Sequence, residues 1–206
     1  MKDLTIKAFL DNLSSESPAP GGGAVAALGA ALGSSLTSMV ANLTIGKKKY
    51  QDVQGEMEKI LLESNDITNC FLNLMDLDAQ GFLKYMDALK LPKDTPEDEA
   101  IRSAEIQKGA KGAAEIPMEI AKTALKMMEL AKKAAFLGNK NTITDAGVAA
   151  LLGESMISAA VINAKINLSV IHDNDFVINM REECRQVELQ AHYLKNEIMD
   201  KVYMEL

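Results

Sequence analysis

A single carboxylate interrupts an apolar stripe along a long predicted helix, residues 53–91. The members of the stripe recur at steps of four and three residues: Ile67, Phe71, Leu74, Asp78, Phe82, Tyr85 and Leu89. Asp76 lies about 200° around the helix from Asp78 and is therefore predicted to face water. Because a carboxylate among apolar side chains costs free energy unless it is satisfied, Asp78 has two interpretations. It either caps a helix or pairs with a lysine as a structural group, or it is an acid/base group whose pKa is raised by burial.

Two asparagines four residues apart form a second polar feature on an apolar helix. Asn163 and Asn167 share a face with Met156 and Ala160 in the predicted helix 146–171. Each side-chain amide carries two donors and an acceptor, and these need partners when they are buried. The two amides either bond to each other and to neighbouring backbone, or they hold a planar heterocycle rich in N–H and C=O groups.

A loop rich in proline and glycine, residues 17–23, precedes the most apolar helix. Three consecutive glycines, Gly21, Gly22 and Gly23, open that helix, and the next 22 residues carry no charge. Such an opening leaves backbone N–H groups uncovered at the positive end of the helix dipole, where an anion can bind.

Three further polar residues flank predicted helix ends. Gly46 suits a left-handed cap, and Lys47 directly after it is either a solvated lysine or a contact for an anionic ligand. Asn139 lies in a polar hinge between two helices. Asp145 begins the helix after that hinge, where its carboxylate would compensate the helix dipole.

The apolar periodicity predicts helices throughout the chain. Start and stop signals place them at residues 4–13, 24–45, 53–91, 95–137, 146–171 and 176–203. Pro117 is expected to kink or split the fourth, and Thr142 or Thr144 to cap the fifth. The prediction is an all-α helical bundle, a single domain over residues 1–206, with two largely buried helices and long amphipathic helices.

Composition and charge exclude several classes of protein. The net charge of −7 argues against nucleic acid as a partner. Cys70 and Cys184 stand far apart, and together with an N-terminus that lacks a signal-peptide pattern they favour the cytoplasm. Two histidines without metal-ligand spacing predict no metal site. The helix 24–45 is long enough to span a membrane, but its scattered Ser, Thr and Asn residues and the charged remainder of the chain favour a central helix of a soluble bundle.

Several of these pieces together resemble the cyclodeaminase domain of formiminotransferase-cyclodeaminase and the related stand-alone bacterial enzymes. The corresponding segments are, in chain order, Pro18 to Gly23, Gly46-Lys47, Asp76 to Ala79 before Phe82, Leu91 to Lys93 with Thr95 to Glu97, Gly138-Asn139 with Asp145, and Asn163 with Asn167-Leu168. Their common order and spacing extend over nearly the whole chain, which is more specific than any one piece.

The resemblance implies folate one-carbon chemistry. The expected reaction is the cyclodeamination of 5-formimidoyltetrahydrofolate to 5,10-methenyltetrahydrofolate and ammonia, with methenyltetrahydrofolate cyclohydrolase activity as the alternative. A helical interaction module without enzymatic activity is the second alternative. The resemblance also implies a homodimer, and since the transferase domain is not part of the 206 residues, a separate formiminotransferase is a possible partner. We expect no metal and no cofactor beyond the folate substrate, no nucleic acid and no membrane.

Within that family the candidate residues acquire roles. Asp78 is the candidate acid/base residue, because one positioned carboxyl can accept the first proton of the cyclisation and return it to the departing ammonia. Lys47 is the candidate contact for the anionic glutamate tail or a developing charge. The remaining candidates for substrate binding are Gly21, Gly22, Gly23, Asn139, Asp145, Asn163 and Asn167.

Overall fold

Helices account for nearly all of the chain, and the all-α prediction is confirmed. The computed structural model describes residues Met1–Leu206 and contains six α-helices and two short 3-10 helices. The α-helices are α1 (Ile6–Leu13), α2 (Gly22–Asn42), α3 (Gln54–Leu89), α4 (Pro96–Leu137), α5 (Ile143–Leu168) and α6 (Asn174–Glu205). The 3-10 helices, Lys48–Val53 and Lys140–Thr142, lead directly into α3 and α5.

Helix α2 runs antiparallel to α3. At the start of α2, Gly23 lies beside Asp78 near the end of α3. Further along α2, the hydroxyl of Ser34 donates a 2.8 Å hydrogen bond to the carbonyl of Ser64, which lies nearer the start of α3. The beginning of α2 and the last third of α3 therefore meet at one end of the bundle.

Helix α2 also runs antiparallel to α5. Gly22 lies beside Asn163 near the end of α5, and Gly33 lies beside the carbonyl of Ala149 near its start. Helix α2 contacts α4 as well, so it is packed against three helices. A single cluster of 41 buried residues, with members from all six helices, forms the core. Many of its members are alanines, which lets the helices approach closely.

Two stretches are long and apolar enough by length and composition to cross a membrane. They are α2 and Lys140–Leu168, and 61% and 44% of their most apolar windows are buried inside the bundle. Polar side chains of α2 point into the bundle, where Ser34 and Thr37 are fully buried and bond to backbone carbonyls. This packing supports the interpretation of α2 as a central helix.

Helix α4 continues through Pro117 without a break, so the predicted split does not occur. Proline has no N–H, and the carbonyl of Ala113, four residues earlier, therefore lacks its helical donor. The side-chain amide of Asn167 on α5 donates a 2.8 Å hydrogen bond to that carbonyl. A side chain from the neighbouring helix thus replaces the missing backbone donor.

The ends of α2 and α5 differ in detail from the prediction. Gly46 adopts the left-handed φ of 77° that its predicted role requires, although α2 itself ends earlier, at Asn42. Thr142 precedes α5 but makes no capping bond, because its hydroxyl donates to the carbonyl of Asn139 at 2.7 Å. Asp145 lies in the first turn of α5, as predicted.

Candidate active site

A cleft of about 180 Å³ opens where α2 begins, between α2, α3, α4 and α5. The sequence-predicted residues that line it are Gly21, Gly22, Gly23, Asp78, Asn163 and Asn167. Helix α2 contributes its N-terminus, α3 contributes the carboxylate and α5 contributes both amides. These six predicted residues are therefore brought together by three helices that are distant in sequence.

The carboxylate of Asp78 lies against the first turn of α2. A Cβ atom on Gly23 would overlap it, so only glycine permits this contact. Burial raises the pKa of Asp78 above its ordinary value of 3.8, and a hydrogen bond from the backbone N–H of Ala24 offsets part of that rise. The N-terminus of α2 therefore faces a carboxyl group of the protein itself, and burial favours the protonated form of that carboxyl.

Asp76 does not share this environment. Its side chain is 27% exposed and forms a 2.6 Å ion pair with the amino group of Met1. The prediction that Asp76 faces water is therefore wrong, since it is half-buried and paired. The prediction that it points away from Asp78 is correct, because Asp76 does not line the cleft.

The two asparagines bond to backbone on one side and face the cleft on the other. The amide of Asn167 donates to the carbonyls of Ala113 and Asn163, both at 2.8 Å. The amide of Asn163 donates to the carbonyl of Ala159 at 2.8 Å. The donors therefore bond to neighbouring backbone, as the structural interpretation predicts, but the two side-chain amides do not bond to each other. Both side-chain oxygens accept no bond from the protein and are available to a ligand in the cleft.

The other three predicted residues lie at the opposite end of α2. Asn139 holds that end: its backbone N–H donates to the hydroxyl of Thr44 at 2.8 Å, and its side chain donates to the carbonyl of Leu43 at 3.0 Å. Lys47 is exposed just beyond, and Asp145 is half-buried at the start of α5. Since α2 has 21 residues, about 30 Å separates this group from the cleft.

Apolar side chains line the rest of the cleft, among them three from α3 and α4 for which the sequence predicted no site role: Phe82, Ile116 and Pro117. Phe82 follows Asp78 by one turn on the same stripe, so the helical period contained a signal for it. Ile116 and Pro117 come from α4 and line the facing wall. No local pattern links them to Asp78, because their proximity depends on how α3 and α4 pack.

A larger groove of about 860 Å³ runs between α3 and α4 and adjoins the cleft at Ile116. Its charged lining residues are three lysines and three carboxylates: Lys84, Lys108, Lys111, Asp87, Glu105 and Glu115. Lys111 is also paired with Asp173 at 2.7 Å. The groove can therefore accommodate an extended ligand, but its side chains supply no excess positive charge for an anionic one.

Comparison with known proteins identifies the family to which this chain belongs. A family model described as formiminotransferase-cyclodeaminase matches residues 5–186. The chain belongs to the formiminotransferase-cyclodeaminase family. The resemblance predicted from the sequence segments is thus confirmed, and the cleft at Asp78 is the candidate active site of a member of this family.

Relatives within the family carry two different names. A methenyltetrahydrofolate cyclohydrolase of Methylorubrum extorquens is 36% identical over 96% of this chain and 95% of its own length. The crystal structure of a formiminotetrahydrofolate cyclodeaminase from Thermotoga maritima is 32% identical, covers 98% of this chain and 97% of its own, and superposes with a TM-score of 0.90. The formimidoyltransferase-cyclodeaminase of Sus scrofa is 32% identical over 96% of this chain, which spans 36% of that protein.

Proposed function

We propose that this chain is a formimidoyltetrahydrofolate cyclodeaminase, which converts 5-formimidoyltetrahydrofolate to 5,10-methenyltetrahydrofolate and ammonia. The observation that carries the proposal is the position of Asp78, a carboxyl of raised pKa in a cleft bordered by glycine backbone and two amides. The whole-length similarity to the T. maritima cyclodeaminase supports it.

One carboxyl can serve both proton transfers of this reaction. N10 of the folate attacks the carbon of the protonated formimidoyl group, and the proton on N10 passes to the carboxylate of Asp78. The same carboxyl then delivers that proton to the nitrogen that departs as ammonia, and the methenyl cation remains. A raised pKa favours the intermediate step, because the carboxyl must hold the proton between its acceptance and its release.

The neighbouring groups would bind and orient the folate. Asn163 and Asn167 present side-chain oxygens that can accept hydrogen bonds from the N–H groups of the pterin. Gly21 allows the ligand to approach the backbone closely, because nothing lies within 4 Å of the place that a Cβ would occupy, whereas the side-chain amide of Asn163 packs against Gly22. Phe82 and Ile116 supply apolar walls for an aromatic ring. Folate itself carries the one-carbon unit, so the reaction needs no further cofactor.

The second candidate is methenyltetrahydrofolate cyclohydrolase activity. The specific observation that favours it is the 36% identity, over nearly the full length of both chains, to the M. extorquens cyclohydrolase. In this reaction Asp78 would act as the base that activates water for attack on the methenyl carbon. The products are 10-formyltetrahydrofolate and a proton.

One pair of assays separates the two reactions. Given 5-formimidoyltetrahydrofolate, a cyclodeaminase releases ammonia while the near-ultraviolet absorbance of the methenyl product rises. Given 5,10-methenyltetrahydrofolate, a cyclohydrolase removes that absorbance and releases no ammonia. We expect the first outcome. Turnover of the methenyl compound alone would favour the cyclohydrolase, and absence of both binding and turnover would favour the non-enzymatic interaction module.

We extend the proposal to the partner enzyme, the cellular compartment and the oligomeric state. A separate formiminotransferase would supply the formimidoyl substrate, as the transferase portion does in a bifunctional protein. We propose that the enzyme is a cytoplasmic homodimer. The uncharged outer surface of α2 supports the dimer, because such a surface suits close packing between subunits.

A further inference from the structure

Three side chains of the cleft can form hydrogen bonds: Asp78, Asn163 and Asn167. Glycine, proline and apolar residues make up the rest of the lining. What an asparagine offers to a ligand depends on which way its amide is turned, because the nitrogen donates and the oxygen accepts. The orientation of the two amides is therefore a property of the site that the surrounding helices must fix.

The amide of Asn167 is oriented by two carbonyl groups on one side. Its nitrogen donates to Ala113 on α4 and to Asn163 on α5, both at 2.8 Å. A carbonyl oxygen can only accept a hydrogen bond, so the nitrogen of Asn167 must face these two groups. Asn167 is half-buried and borders the cleft, and its side-chain oxygen is the atom left for a ligand there.

The two carbonyls differ in how much they need this donor. The carbonyl of Asn163 lies within α5, where the backbone N–H of residue 167 is its regular helical donor. The carbonyl of Ala113 would take its helical bond from residue 117, which is a proline and has no N–H. Ala113 is buried, so turning the amide of Asn167 would leave a buried carbonyl without a donor, at a cost in free energy.

We infer that Pro117 is a positioning residue of the active site: by leaving the carbonyl of Ala113 without a helical donor, it holds the side-chain oxygen of Asn167 toward the folate. With any other residue at position 117, the backbone of α4 could satisfy Ala113 itself. The amide of Asn167 could then turn at little cost, because its remaining partner in α5 already has a donor. The identity of the ligand rests on the proposed function.

Asn163 presents its oxygen in the same way, with a weaker hold on the amide. Its nitrogen donates at 2.8 Å to the carbonyl of Ala159, which lies inside α5 and has a regular helical donor as well. The two amide oxygens and the carboxyl of Asp78 together form a set of acceptors. Such a set suits the edge of a pterin that carries N–H groups, and it disfavours an edge of carbonyl and ring-nitrogen lone pairs.

Pro117→Ala separates this role from a purely structural one. Alanine favours a helix interior and restores the N–H, so the variant should keep the helical circular dichroism and a Tm no lower than that of the wild type. The KM for the folate that the enzyme turns over should nevertheless rise about 3- to 10-fold, the scale of one hydrogen bond. Since Asp78 is untouched, kcat should stay within about two-fold. An unchanged KM would overturn the inference.

A double variant shows whether Pro117 acts through Asn167. Asn167→Leu alone should raise KM at least as much as Pro117→Ala does, and combining the two should raise it no further. If the two effects multiply instead, Pro117 contacts the folate on its own and the inference is wrong. Pro96→Ala is the matched control, the same substitution in the exposed first turn of α4, and it should leave KM unchanged.

Exchange of the side-chain amide hydrogens tests the hold on Asn167 without any ligand. In isotope-labelled wild-type protein, NMR should show slower exchange at Asn167 than at Asn69, an exposed asparagine of α3. In Pro117→Ala the exchange at Asn167 should be at least about 3-fold faster. Equal exchange at Asn167 in the two proteins would contradict the inference. A wild type with slow exchange that turns over neither folate would count against the proposed function alone.

Discussion

The carboxylate of Asp78 on α3 rests against the Cα of Gly23 on α2, and no residue with a side chain could occupy position 23 without moving it. This contact places a carboxyl at the N-terminus of a helix while burial keeps its pKa raised. The helix start, the glycine and the acid are therefore one structural unit, and each part of it can be tested separately.

Replacing Asp78 tests its role in proton transfer. Asp78→Asn keeps the shape of the side chain but cannot accept and return a proton, so kcat should fall at least about 100-fold. The matched control is Asp66→Asn, the same substitution at an exposed position of α3. Steady-state turnover of formimidoyltetrahydrofolate measures both. Near-normal turnover in Asp78→Asn would leave Asp78 with a structural role only.

Replacing Gly23 tests the contact itself. In Gly23→Ala the new methyl group overlaps the Asp78 carboxylate, which must move away from its position in the cleft. We expect kcat to fall about 100-fold, the scale of a displacement of about 1 Å in a catalytic group. Gly55→Ala is the control, because a methyl group there meets nothing within 4 Å and should leave turnover unchanged. Full activity in Gly23→Ala would show that the position of Asp78 is not critical.

Because the pKa of Asp78 is raised, replacing Asp78 should stabilise the folded protein by an amount that depends on pH. Below about pH 3.8 the carboxyl is protonated in both the folded and the unfolded chain, so it costs the folded state nothing. At pH values above the pKa of Asp78 in the folded protein, the buried carboxyl is charged and lowers the free energy of unfolding by the full amount. Asp78→Asn should therefore have a higher Tm than the wild type at pH 7, and the difference should shrink as the pH falls toward 3.8. Thermal melts across this range measure it, and a difference independent of pH would contradict it.

Asn167 and Pro117 should be energetically coupled. Asn167→Leu leaves the carbonyl of Ala113 without a donor, which should lower the free energy of unfolding by about 1–3 kcal/mol. In a Pro117→Ala background the backbone N–H of residue 117 can bond to that carbonyl, so the same substitution should cost about 1 kcal/mol less. Urea denaturation of the four proteins gives the coupling energy. Additive effects would mean that Asn167 does not replace the missing donor.

Helical periodicity and end signals were sufficient to predict most of the fold. The start at Thr95 and Pro96 and the end before Gly138 bound α4 in the structure as they do in the sequence. The same periodicity distinguished Asp78 from Asp76, because the direction of a side chain around a helix follows from residue number alone. These predictions succeeded because they depend on interactions within a few turns of one helix.

Packing between helices decided what the sequence pattern left open. The hydrogen bond from Asn167 to Ala113 keeps α4 continuous at Pro117, and nothing within α4 predicts it. Likewise the sequence pattern predicted one substrate site for Lys47, Asn139, Asp145 and Asp78, whereas the structure sets the first three at the opposite end of α2 from Asp78.

The sequence by itself therefore determined the helices, the family and the face of α3 that carries the acidic residue Asp78. Only the tertiary structure decided that Gly23 holds that acid, and that the candidate residues of one chain form two groups rather than one. The physical reason is the separation along the chain over which each interaction acts. Helix periodicity and caps act over a few residues of one segment, whereas the Gly23–Asp78 contact and the division of the site depend on how α2, α3 and α5 pack.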